Sequence, residues 1–78
     1  MLAKTEKEWG ERAVRHLKAE LKRAGVTYEE LAERLKAHGF EETKAGIANK
    51  LARATVPASF FLACLAALEL EGVRLEDI

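Results

Sequence analysis

The sequence predicts an all-α fold, a compact bundle of four to five helices with a helix-turn-helix inside it. Apolar residues recur at helical spacing in four stretches, and glycine or proline separates the stretches. Two of the stretches open on a Thr-x-x-Glu box, Thr5 with Glu8 and Thr27 with Glu30. Hydrophobic residues make up 49% of the chain against five glycines and one proline, a balance that favours helical globular structure over loops. At 78 residues the chain forms one domain, 1–78, able to bury roughly 60–65% of its unfolded surface.

The first helix is expected over 6–24. Thr5 caps it, Gly25 stops it, and Ala13, Leu17, Leu21 and Ala24 form its apolar stripe, with Trp9 and Val14 at the margins. Glu8–Arg12 and Glu11–Arg15 are i,i+4 pairs of favourable polarity, each worth about 0.2–0.5 kcal/mol. The second helix is expected over 28–38. Thr27 and Glu30 exchange capping bonds, Val26 and Leu31 form a hydrophobic staple, and Tyr28, Leu31, Ala32 and Leu35 share one side. Gly39 suits a left-handed stop after His38. The third helix is expected over 43–54, with Ile47, Ala48 and Leu51 inward.

Val56-Pro57 closes that helix and starts a fourth over 57–70, since proline disfavours helix before it and suits a first helical position after it. Its run from Ala58 to Leu68 is apolar almost all round. Phe61, Cys64, Leu65 and Leu68 make the core face, and Leu62, Ala66 and Leu70 lie on another side. A short tail, 73–78, adds Val73, Leu75 and Ile78. A surface helix with this much apolar area needs a second cover. A twofold copy is the simplest, so Leu62, Ala66, Leu70, Val73, Leu75 and Ile78 are the expected homodimer interface, with the tail folding back as the other way to cover them.

The chemistry concentrates in the third helix. From Thr43 to Pro57 the chain has three basic residues and no acidic one. Asn49 and Arg53 project opposite the apolar side, flanked by Gly46 and Lys50. Arginine forks onto guanine, asparagine onto adenine, and glycine lets a backbone come close. The expected partner is double-stranded DNA, with Gly46, Asn49, Lys50 and Arg53 at base edges. Thr43, Lys44 and Thr55, near the helix ends, are the expected phosphate contacts.

On VTYEELAERL, then IANKLARA, then PASFFLACLAAL and GVRLEDI, the chain resembles the lambda-repressor/Cro-like (XRE-type) helix-turn-helix superfamily. More narrowly, LKAELKRAGVTYEELAERL with FFLACL resembles a small bacterial family described only as a domain of unknown function. The broader resemblance implies a lambda-repressor-like transcriptional regulator, and a Tyr28 hydroxyl offered to a phosphate, although staple packing accounts for Tyr28 equally well. The chain departs from the usual pattern where Lys36, Ala37 and His38 stand between the second helix and its glycine, and in a longer turn before the third helix.

Composition bounds the alternatives. The 13 basic and 13 acidic groups cancel, which counts against a general polyanion binder. They alternate in blocks: 1–25 carry seven basic and four acidic, 26–42 two and five, 43–57 three and none, 58–78 one and four. Arg12, Arg15 and Lys22, with Lys18 and Arg23 beside them, are either a solvated helix face or a row of phosphate contacts. Glu29, Glu30 and Glu33 suit the first turns of a helix and would have to face away from any duplex.

Cys64 has no disulfide partner, and His16 and His38 have no cysteine at ligand spacing, so no metal or cofactor is expected. Trp9 reads as a lid on the core. MLAKTEKEWG lacks the apolar stretch of a signal peptide, and the 11-residue apolar run is too short to span a bilayer, giving a cytoplasmic expectation without membrane contact. No nucleophile, acid–base pair or phosphate loop stands in a supporting context, so neither an enzyme nor a small-molecule substrate is expected. The rival readings are a protein–protein interaction module on the same scaffold and an antitoxin-like or phage-encoded regulator.

Overall fold

The computed structural model describes residues 5–78; residues 1–4, the front of the MLAKTEKEWG segment, lie outside them. Four α-helices follow one another: α1 (Glu6–Ala24), α2 (Tyr28–Leu35), α3 (Lys44–Arg53) and α4 (Ala58–Ala67). Two single 3-10 turns complete the helical structure, Lys36–His38 after α2 and Leu75–Asp77 in the tail. The stretch expected as one helix to 38 therefore tightens after Leu35, and Gly39 ends it at φ 85°.

Local capping chemistry sets the starts. Thr5, Thr27 and Thr43 accept from the backbone N–H groups of Glu8, Glu30 and Gly46 at 3.1, 3.1 and 2.9 Å. Each bond satisfies a first-turn donor that has no partner inside its helix. Three helix stops share one pattern. The amides of Val26, Phe40 and Leu70 donate back to the carbonyls of Leu21, Leu35 and Leu65 across a residue in the left-handed region. That residue is Gly25, Gly39 or Glu69. In each case the residue after the stop is apolar and returns to the core over a leucine of the last turn.

Helix α2 packs against α3 and α4, and α1 packs against α4. Their shared interior holds Val14, Leu17, Leu21, Val26, Leu31, Leu35, Ile47, Leu51, Phe60, Cys64 and Leu68. Phe40 meets Phe60 edge-on, with ring centroids 6.2 Å apart. Arg34 ties α2 to the end of α4 by donating to the Ala67 carbonyl at 3.1 Å. Since α4 has no basic residue in its own last turn, this guanidinium complements the negative end of its dipole.

The structure corrects the sequence reading in four places. Val14 belongs to the core and Ala24 is exposed, so the α1 stripe runs Val14–Leu17–Leu21. Phe60, 1% exposed, takes the core position expected of Phe61, which is half-buried beside it. The inward set is Phe60, Cys64, Leu65, Ala67 and Leu68; in a helix apolar on nearly every side, projection alone does not select among adjacent residues. Helix α4 also ends at Ala67, three residues before the expected Leu70, because Glu69 adopts φ 63°. Pro57 precedes the helix as its cap position instead of forming its first residue.

Candidate nucleic-acid interface

Helix α3 is held by Ile47 and Leu51, both at most 2% exposed. Opposite them, at about 100° per residue, one side of the helix turns outward with Ala45, Asn49, Ala52 and Arg53, all exposed. No carboxylate of α2 restrains this strip: Glu30 pairs with Arg34 at 3.1 Å and Glu33 with Lys36 at 2.9 Å. The acidic residues that stood against a nucleic-acid reading are thus partly neutralised within α2 and its following turn. The Glu33 bond raises the Lys36 ammonium above its ordinary pKa.

The other flank is built differently. Lys50 turns back and donates to Glu42 at 2.9 Å, with its ammonium 5.4 Å from the centre of the Phe60 ring. The Glu42 side chain is only 10% exposed, against 37% for Lys50. Its second oxygen sits beside Gly46, where a Cβ would lie 3.2 Å from it and 3.1 Å from the Thr43 hydroxyl. A carboxylate at this point also complements the positive end of α3. Gly46 and Lys50 were expected at base edges; here glycine makes room for an internal carboxylate, and lysine is that carboxylate's partner. Thr43, Lys44 and Thr55 are exposed around the helix ends. Tyr28 is half-buried and packs against the core at the start of α2.

Beyond Arg53, Ala54 bends out of the helix at φ 57° and touches α1. A Cβ on Gly10 would stand 1.9 Å from the Ala54 carbonyl oxygen, so only glycine allows this crossing. Next to it an open cleft of about 720 Å³ is walled by Trp9, Ala13, Arg53, Thr55 and Val56. Trp9, expected as a core lid, stands half-exposed in that wall. A second groove, about 370 Å³, separates α1 from α3 and is lined by Glu11, Arg15 and Lys18 on one side and Ala52 on the other.

The tail folds back on α1. Arg12 donates to the Ile78 carbonyl at 3.0 Å, and Asp77 and Ile78 line an open cavity with Arg15, His16 and Arg23. Within it the His16 Nε2 is buried without a hydrogen-bond partner among the described residues. Burial first, and then the Arg23 charge, hold the His16 pKa below its ordinary value, with Asp77 pulling weakly the other way. Arg23 itself is bound by Glu20. Cys64 lies wholly in the core, and burial pushes its thiol pKa up to about 12.

The six residues expected at a dimer contact divide. Leu62 and Leu75 are 62% and 60% exposed and Ala66 is exposed, while Leu70 packs on the core and Val73 and Ile78 are half-buried. Projection missed the inward turn of Leu70 because it assumed that the helix continued through Glu69. It also passed over Ala45 and Ala52, although the same projection places them beside Asn49. No local spacing rule connects Glu42 with Lys50.

By fold, this is a small all-α protein whose third helix offers a polar strip with methyl-sized neighbours. The chain belongs to the family described as a domain of unknown function, DUF6471, which matches residues 9–73. That agrees with the narrower of the two resemblances; the Cro-like resemblance rests on residue pattern alone. Neither the curated proteins nor the solved structures contain a match to the chain. Among the described residues no group of histidine, cysteine or carboxylate side chains could hold a metal ion, and no helix is long and apolar enough to cross a membrane.

Proposed function

We propose that this chain is a DNA-binding helix-turn-helix protein of Cro-like type, with α2 and α3 as the two helices and α3 as the reader in the major groove. One observation carries the reading: Asn49 and Arg53 stand exposed on an α3 side free of carboxylates, beside the small side chains of Ala45 and Ala52. Alanine next to an amide and a guanidinium lets the helix lie close, and its methyl suits contact with a thymine methyl. Asn49 and Arg53 carry base choice, while Thr43, Lys44 and Thr55 set register on phosphates. Lys50 contributes only if its bond to Glu42 opens.

A regulator of this kind acts as a homodimer, with α4 of one copy against α4 of the other through Leu62 and Ala66. Reading helices about 34 Å apart then meet successive turns of one duplex face. The test is a selected duplex measured by fluorescence anisotropy. Arg53→Ala weakens binding by about 1–3 kcal/mol and relaxes preference at one base position, whereas Lys44→Ala weakens all sequences alike. Equal affinity of wild type and Arg53→Ala refutes the assignment.

The second reading is a protein-interaction module on the same scaffold, favoured by the exposed Leu62 on a helix without a single charged side chain. Absence of any duplex binding at low salt selects it.

A further inference from the structure

Six cations of α1 point outward or sideways, and the structure sorts them: Lys7, in the first turn, stands apart on the cleft beside Trp9. Arg12 is bound to the tail and Arg23 to Glu20. Arg15, Lys18 and Lys22 are exposed and make no ion pair with any described residue. Their spacing of three and then four places them on one side of the helix. The row is about 10 Å long at the rise of an α-helix, enough to meet two successive phosphates of one strand.

Its position relative to α3 makes the row more than a solvated face. Arg15 and Lys18 form one bank of the groove whose other bank is Ala52, and Ala52 belongs to the outward strip of α3. The strip thus lies between two unlike flanks: on one side the Glu42–Lys50 pair, neutral as a unit, and on the other this uncompensated row. The acid that faces the groove from α1 is Glu11, and the cavity on the far side of Arg15 holds Asp77.

We propose that Arg15, Lys18 and Lys22 form a phosphate rail, gripping the backbone of the same duplex whose groove receives α3. The inference rests on the DNA reading above and adds a named second contact line contributed by α1. The rail fixes which edge of α3 turns toward the nearer strand, because the opposite flank offers only a neutralised pair.

Salt dependence isolates the claim. The probe is a random-sequence duplex, with the full chain titrated by anisotropy at several salt concentrations and folding checked by circular dichroism. Arg15→Gln combined with Lys18→Gln reduces the slope of log K against log salt by about 1.8, at about 0.9 for each lost phosphate contact. Between 50 and 200 mM salt the wild type then loses about 12-fold more affinity than the double variant. Arg74→Gln, a tail cation already paired with Glu76, leaves the slope unchanged. Wild-type binding with an unaltered slope in the double variant overturns the rail alone, and so does an equal fall in Arg74→Gln. A wild-type chain that fails to bind the duplex overturns the DNA reading itself and the rail with it.

Discussion

Replacing Gly10 by alanine tests the contact that aims the end of α3. In the interior of a helix, glycine is less favourable than alanine by about 0.5–1 kcal/mol, so the change should ordinarily stabilise α1. Here the new methyl would lie 1.9 Å from the Ala54 oxygen and 3.1 Å from its carbonyl carbon. Contacts of this kind stop near 3.0 Å, so the two segments must part by 3.0 − 1.9 = 1.1 Å. The opposing atom is backbone, in a residue already at φ 57°, and has no rotamer to swing. Overpacking of this sort costs about 1–3 kcal/mol. Set against the gain in helix propensity, the expected net loss is about 1 kcal/mol, a fall in Tm of about 4–8 °C. Thermal unfolding followed by far-UV circular dichroism measures it. A rise of several degrees would show that propensity governs the site and that α1 does not touch Ala54.

Glu69→Gly should act in the opposite direction. A left-handed conformation costs a residue with a side chain about 1–2 kcal/mol, and glycine gives back about 0.5–1 in chain entropy, leaving a net gain read as a higher urea midpoint. A lower midpoint would sink the helix stop assigned there. His16 predicts a pH effect. Its folded pKa is depressed, so above about 6.5 both states are neutral; as pH falls through that value the unfolded chain takes up the proton first, and stability declines until the folded pKa is also passed. Urea midpoints should drop between pH 7.5 and 5.5 in the wild type and less in His16→Gln; equal drops contradict the buried Nε2. The Cys64 thiol, pushed up to about 12, should resist alkylation at neutral pH until urea unfolds the chain. Fast labelling of the native protein would place it outside the core.

The parts of the fold governed by neighbours along the chain were legible in the sequence. Thr5, Thr27 and Thr43 cap, and Gly25 and Gly39 stop, through bonds spanning three to five residues. The inward choice of Ile47 and Leu51 follows from amphipathic period alone. Features set by distant residues were not legible. The Gly10–Ala54 approach joins helices far apart in the chain, and the Arg12–Ile78 bond closes the two ends of the described structure on each other. Glu42 and Lys50 meet because a turn and a helix face Phe60 together, which no charge-spacing rule anticipates. Phe60 outcompetes Phe61 for the interior by a rotation of one residue, invisible in a run where both neighbours are apolar. Within the candidate site, exposure of Asn49 and Arg53 follows from the same amphipathic pattern, but the withdrawal of Lys50 does not.

Val26, Phe40 and Leu70, each just after a helix stop, make the connectors load-carrying parts of the interior, not slack between rods. A peptide inserted immediately after any of those stops would pull a core-packed side chain away with it, buried in the case of Val26 and partly buried in Phe40 and Leu70. Gly72, where an added methyl meets nothing, offers a tolerant place for a label or a linker. The scaffold is therefore far more permissive toward attachments near its tail than toward longer turns, and its helix angles should resist drift as surface residues change.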